Sequence, residues 1–162
     1  MTQPDEAERL ATRVVDAMMA RDAFSQWLGI SVVAARPRKA VVSMVVRPEM
    51  VNGFGVAHGG IVYSLADTAL AFAANTHGRV TVAIENAISY PKAVHVGDEL
   101  VAEADEESAS NRLAYYSVTV WRSDEKVALF RGTVYRTKDE YLNGGRLTVD
   151  GDRKPTTDNG QR

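Results

Sequence analysis

The sequence predicts an α+β fold in which one long apolar helix is wrapped by a curved six-stranded antiparallel sheet, and three observations lead there. Residues 59–75 show helical spacing with a single charge, a pattern that suits a helix enclosed by other structure rather than one lying on a wet surface. Two strand-like segments precede this run and four follow it, separated by turn residues. The chain has 162 residues, 45% of them hydrophobic, enough for one sizeable core and too few for two ordinary domains.

Along the chain, Leu10, Val14, Val15, Met18 and Met19 recur at helical spacing, and Asp5, Glu6 and Glu8 fall in the first turn, where the helix dipole favours acids. This predicts a short amphipathic helix packed on the sheet through Leu10, Val14 and Met18, with residues 1–22 as its flank. From Ile30 to Val46 the chain is β-branched and broken at Arg36-Pro37-Arg38, which reads as a hairpin. Pro48, Gly53 and Gly55 make residues 47–57 a loop, and the long helix then ends at His77-Gly78, with Gly78 suited to a left-handed cap. Strands are expected at Val80–Tyr90, Asp98–Glu106, Leu113–Arg122 and Lys126–Thr137. Pro91, Gly97, Ser110-Asn111 and Ser123-Asp124 supply the turns. The main domain is placed at 23–140, and the glycine- and charge-rich segment 141–162 is expected to be a disordered tail.

The charge balance, 21 acidic against 19 basic residues mixed along the chain, offers no basic face for nucleic acid and no polybasic run for anionic lipid. There is no cysteine, so disulfides, thiolate metal sites and a cysteine nucleophile are excluded. The acidic start lacks the pattern of a secretory signal, and the weakly polar stretch from Gly59 to Ala74 is short for a membrane span, so a cytoplasmic location is expected. Three histidines without paired spacing give no metal site.

The chemistry is expected on the long helix. A helical wheel places Ser64, Asp67, Thr68, Ala71 and Asn75 on one stripe, with apolar residues covering most of the rest. Removing an ionised carboxylate from water costs several kcal/mol unless partners compensate. Asp67 therefore caps a neighbouring backbone group, pairs with an arginine across the core, or serves as a base or nucleophile in a dry cleft. At the helix entrance Gly59 and Gly60 leave N–H groups without shielding β-carbons, at the positive end of the dipole, where a carbonyl oxygen gaining charge is stabilised. Eight positions along a helix put Gly59 and Asp67 ~12 Å apart, too far to act on one carbonyl carbon. If both act, one helix supplies the donor and a second subunit's helix the carboxylate, as in a two-fold dimer.

The run from Asn52 to Ala69, N-G, then H-G-G at His58-Gly59-Gly60, then S-L-A-D-T-A, closely resembles the hotdog-fold acyl-CoA thioesterases of the phenylacetate-degradation (PaaI) type. The segment Val127–Gly132 looks like the last strand of that family, and the element order matches from about Phe24 to Arg136. The resemblance implies a hotdog subunit paired into dimers with shared sites and commonly into homotetramers. It also implies hydrolysis of aryl- or hydroxyaryl-acetyl-CoA thioesters, with no cofactor beyond the coenzyme A of the substrate. Asp67 is implied as base or nucleophile, the Gly59 N–H as the carbonyl donor, and Asn52 and His58 as residues shaping the site. Substrate contacts are expected at Gly60, Thr68, Tyr90, Lys92, Ser110, Asn111, Arg112 and Arg136. The chain departs from some relatives at Ala83, which aligns with a hydroxyl residue that helps place water there. A hydroxyacyl-CoA dehydratase, whose chemistry uses a histidine placed differently, and a non-catalytic acyl-CoA-binding module are the competing readings.

Overall fold

The computed structural model describes residues 5–142. Helix α1 (Glu6–Met19) is capped by Asp5, whose Oδ1 accepts the Glu8 N–H at 2.8 Å. It turns Ala11, Val14 and Val15 inward onto the first strand, residues 31–36, and the long helix. A second short helix, α2 (Ala23–Leu28), follows, which the hydrophobic pattern does not predict. Six residues are too few to establish a helical period, yet its ends are written in the sequence. The Asp22 side chain caps Ser25, and Gly29 closes the helix at φ 78. The expected disordered tail falls outside the described residues from Asn143 onward.

Strands β1 (Ser31–Arg36) and β2 (Lys39–Val45) form the predicted hairpin. After the long helix α3 (Gly59–Asn75) come β3 (Arg79–Ser89), β4 (Glu99–Ala109), β5 (Leu113–Arg122) and β6 (Glu125–Glu140). All pairings are antiparallel, in the order β1-β2-β4-β5-β6-β3, so β3 leaves the end of α3 and crosses to the far edge beside β6. This is the long helix wrapped by a six-stranded sheet that the sequence predicts.

The inward face of the sheet explains how the helix fits. Ala40, Ala102, Ala104 and Ala114 are fully buried there, alternating along their strands with outward residues. Small side chains let α3 approach closely, while Leu65, Leu70 and Phe72 of the helix fill the space at the sides with Val42, Val118 and Phe130.

Of the polar stripe drawn on α3, the structure keeps Ser64, Asp67 and Ala71 half-buried, and turns Thr68 and Asn75 into the core. Both buried groups are satisfied. The Thr68 hydroxyl lies 3.1 Å from that of Ser25 and so joins α3 to α2. The Asn75 side chain accepts the Thr81 N–H and donates to the Thr81 carbonyl, both at 2.9 Å, which sets the direction in which β3 departs.

Gly132 of β6 faces Leu70 of α3 and Asn86 of β3. A β-carbon there would stand 2.5 Å from Leu70 Cδ2 and 2.7 Å from Asn86 Oδ1. Gly132→Ala is therefore expected to lower unfolding stability by about 1–3 kcal/mol through overpacking, read as a lower urea midpoint with unchanged slope; a midpoint equal to the native one would show that the contact relaxes freely.

Candidate active site

The entrance to α3 is built by a tight loop. Val51 bridges to Ala57, Asn52 N–H donates to the Val56 carbonyl at 2.8 Å, and the Asn52 side chain accepts the Phe54 N–H at 2.9 Å. Asn52 thus folds the loop that carries His58. His58 is the N-cap, its Nδ1 accepting the Gly60 N–H at 3.0 Å while its own N–H donates to the Met50 carbonyl at 2.8 Å. The expectation that both glycines offer free N–H groups is corrected here, because a capping side chain takes the Gly60 donor first. The Gly59 N–H has no acceptor among the described residues.

The two glycines serve close approach. A β-carbon on Gly60 would lie 3.1 Å from His58 Nδ1, and one on Gly59 would lie 3.3 Å from the Tyr90 ring. Tyr90 also donates its hydroxyl to the Gly59 carbonyl at 2.9 Å, tying the end of β3 to the start of α3. Beside this contact a cavity of about 350 Å³ is lined by Val56, Ala57, Gly59, Val62, Tyr90 and Lys92, among others.

Two turns further along α3, Asp67 is half-buried and no cation pairs with it among the described residues. The salt bridge across the core weighed from the sequence is absent. Instead Asn86 Nδ2 donates to Asp67 Oδ1 at 2.8 Å and to the Tyr63 hydroxyl oxygen at 3.0 Å. Burial pushes the Asp67 carboxyl above its ordinary range, and the Asn86 hydrogen bond partly opposes that.

Asn86 is the residue that sequence reasoning misses, and the cause is a β-bulge. Ala83 pairs with Val134 of the inner face, so strict alternation from it would put Glu85 inward and Asn86 outward. The register slips between Ala83 and Glu85, so Glu85 pairs with Thr133 on the outer face and Asn86 pairs with Gly132 on the inner one. Ala83 and Glu85 are both exposed.

The other predicted substrate contacts divide between the two ends of the sheet. Tyr90 and Lys92 stand at the Gly59 end, where Lys92 is 3.4 Å from Glu125. Ser110, Asn111 and Arg112 form the β4–β5 turn at the opposite end: the Ser110 hydroxyl closes that turn on Leu113, the Asn111 carbonyl faces Arg79, and Arg112 is exposed. Arg136 lies near that turn but is not free to meet an anion. Its side chain is 14% exposed, and its guanidinium donates to Glu106 at 2.6 Å and to the Ser110 carbonyl at 3.1 Å, which places this expected substrate contact in an ion pair within its own chain. Thr81 pairs with Arg136 and Ser89 with Leu129, and at ~3.3 Å per residue the two ends are more than ~25 Å apart along β3. His77, near the Arg136 pair, is pushed down to about 4 by burial and by the charges of Arg136 and Arg79.

A single long helix held in a curled antiparallel sheet, with a carboxylate on its half-buried stripe and an N–H without an acceptor at its start, defines a hotdog-fold protein. A family model described as the thioesterase superfamily matches residues 54–129. The acyl-coenzyme A thioesterase PaaI of Escherichia coli K12 is 37% identical over 133 residues, covering 82% of this chain and 91% of that protein. The solved structure of the Escherichia coli PaaI protein superposes with a TM-score of 0.82 at 33% identity, over 83% of this chain and 99% of that one. A mutant of the phenylacetic acid degradation protein PaaI from Thermus thermophilus gives a TM-score of 0.70 at 40% identity, over 72% of this chain and 100% of that one. The chain belongs to the thioesterase superfamily and, within it, to the PaaI type, and is accordingly a thioester hydrolase. Among the described residues no helix is long and apolar enough to cross a membrane, and no group of three or more His, Asp or Glu is placed to hold a metal ion.

Because burial raises the folded-state pKa of Asp67, the folded protein holds that proton more tightly than the unfolded chain. Stability from this source is full below the ordinary carboxylate range and is lost as pH rises through the folded value. Asp67→Asn is expected to raise the melting temperature at pH 7 and to lose that advantage as pH falls towards 3. A mutant no more stable than the native chain at pH 7 would refute a strained carboxylate.

Proposed function

We propose that this protein hydrolyses acyl-CoA thioesters to the free acid and CoA, with aryl- or hydroxyaryl-acetyl groups as the acyl class. The observation that carries the reading is Asp67, a half-buried carboxylate held by an amide and paired with no cation, in a chain of PaaI type. Acting as general base, Asp67 takes a proton from water as the water oxygen bonds to the thioester carbon. The carbonyl oxygen gains charge against a Gly59 N–H, the carbon–sulfur bond breaks, and the proton passes to the departing sulfur. Direct attack by the carboxylate on the same carbon, followed by hydrolysis of the anhydride, uses the same groups.

Gly59 and Asp67 of one helix are too far apart to meet on one carbonyl, so the working site joins the Gly59 entrance of one subunit to Asp67 of another, in a homodimer that assembles further into a tetramer. Two features support this assembly. The Ser64–Asp67–Ala71 stripe is only half-buried within its own chain, and β3 is an edge strand of eleven residues with Ile84 exposed. An antiparallel two-fold at that edge would bring the partner's β4–β5 turn towards Tyr90 and Lys92. There Lys92, Arg112, Ser110 and Asn111 would meet the phosphates and polar groups of coenzyme A. Asn52 and His58 would shape the site by holding the loop and the helix start, and the cytoplasm, where acyl-CoA is formed and used, is the proposed location.

A thiol-release assay over aryl and fatty acyl-CoAs tests the activity. The native chain is expected to favour an arylacetyl-CoA, and Asp67→Asn to slow turnover by about 10²–10⁴-fold; native and mutant rates that match would remove Asp67 from the chemistry. For the shared site, Asp67→Ala and Asn52→Ala chains are mixed under conditions of proven subunit exchange. A two-chain site restores one intact centre in each mixed dimer, roughly a quarter of native activity at equal mixing, whereas a site within one chain restores none.

A further inference from the structure

On the inner face of β3 and β6, Asn86 is an amide among Ile88, Phe130 and Val134. Both its N–H groups are spent, one on Asp67 Oδ1 at 2.8 Å and one on the Tyr63 oxygen at 3.0 Å. Its Oδ1 is buried without a hydrogen-bond partner, against Gly132, where a β-carbon would come within 2.7 Å. A buried amide oxygen without a donor costs stability, and such groups are rare unless something else requires them. The position is thus built around the amide at a cost: a bulge turns it inward, a glycine makes room for it, and one of its polar atoms goes unsatisfied.

Its partners are fixed in turn. The Tyr63 ring packs edge-on against Phe130, with centroids 5.4 Å apart at 66°. Tyr63 and Asp67 lie one turn apart on α3, so the amide spans from β3 to two points of the helix and leaves Asp67 little freedom to rotate. With Oδ1 held, Oδ2 is the oxygen free to take a proton or attack.

We propose that Asn86 is the positioning residue of the reaction, clamping one oxygen of Asp67 so that the other faces the reacting water or carbonyl. The inference rests on the thioesterase reading of the Asp67 site. Ala83 offers no hydroxyl to place water, and this chain orders the carboxylate instead. Because the amide only donates here, the clamp also favours the ionised acid against the effect of burial. Neither Glu85, turned to Thr133 on the outer face, nor any neighbouring cation contributes to the shift on Asp67; Tyr63 is the titratable group that shares the amide.

Asn86→Leu keeps the volume without the donors, and Asn86→Ala opens the space to water. The two change burial in opposite senses and share the lost hydrogen bond. Each is compared with the native chain by carboxyl-carbon NMR titration of Asp67 and by hydrolysis of phenylacetyl-CoA across pH. In Asn86→Leu the Asp67 midpoint and the acid limb of kcat are expected to move to higher pH, and in Asn86→Ala, where admitted water relieves burial as the hydrogen bond is lost, to move less. The kcat is expected to fall about ten- to hundredfold, with KM changed far less. Variants that melt earlier yet titrate Asp67 at the native pH would overturn the proposal and reduce Asn86 to a packing residue. Asp67→Asn in the same assay separates the two readings. If it keeps the native rate, the thioesterase role of Asp67 fails, while the NMR titration still decides whether Asn86 clamps the carboxylate.

Discussion

The close approach of α3 to the inner face of the sheet is the constraint on which the rest depends. It requires alanines on β2, β4 and β5, a glycine on β6, and a helix almost free of charge. Under those conditions any polar group on α3 must find a specific partner or lie on the half-buried stripe. Thr68 and Asn75 find partners and become structural, fastening α2 and β3 to the helix. Asp67 remains at the margin, where its partner is an amide and its charge is left partly uncompensated.

The same packing separates the two chemical parts of the cleft. The helix start is closed by His58 and Tyr90, which leave the Gly59 N–H as an isolated donor, and the carboxylate lies two turns away. A rigid helix cannot bring its own ends together, so a protein of this design is incomplete as a single chain under the proposed mechanism. Oligomerisation would then be a condition of activity as well as of stability.

The parts of the fold legible in the sequence are those governed by periodicity. The long helix, the hairpin and the four later strands follow from apolar spacing, and the H-G-G and S-L-A-D runs locate the carboxylate and the helix entrance. What escapes has local causes. Helix α2 is shorter than two turns and shows no period, though Asp22 and Gly29 mark its ends. Arg136 looks like a cation at a strand end, but β6 continues to Glu140, and alternation from Val134 turns Arg136 inward to Glu106. Gly60 looks like a second free donor because nothing in the spacing says that a histidine at the N-cap will accept from it.

The bulge in β3 has a consequence for how such a site can change over time. Which side chain faces the carboxylate is set by the count of residues between Ala83 and the strand's end, as much as by their identity. Deleting Ala87 would absorb the bulge, pair Glu85 with Gly132 on the inner face and place a second acid beside Asp67, with no substitution at any site residue. Short insertions and deletions in an edge strand, ordinarily tolerated as changes at the periphery, are in this protein a direct route to altering the charge of its cleft.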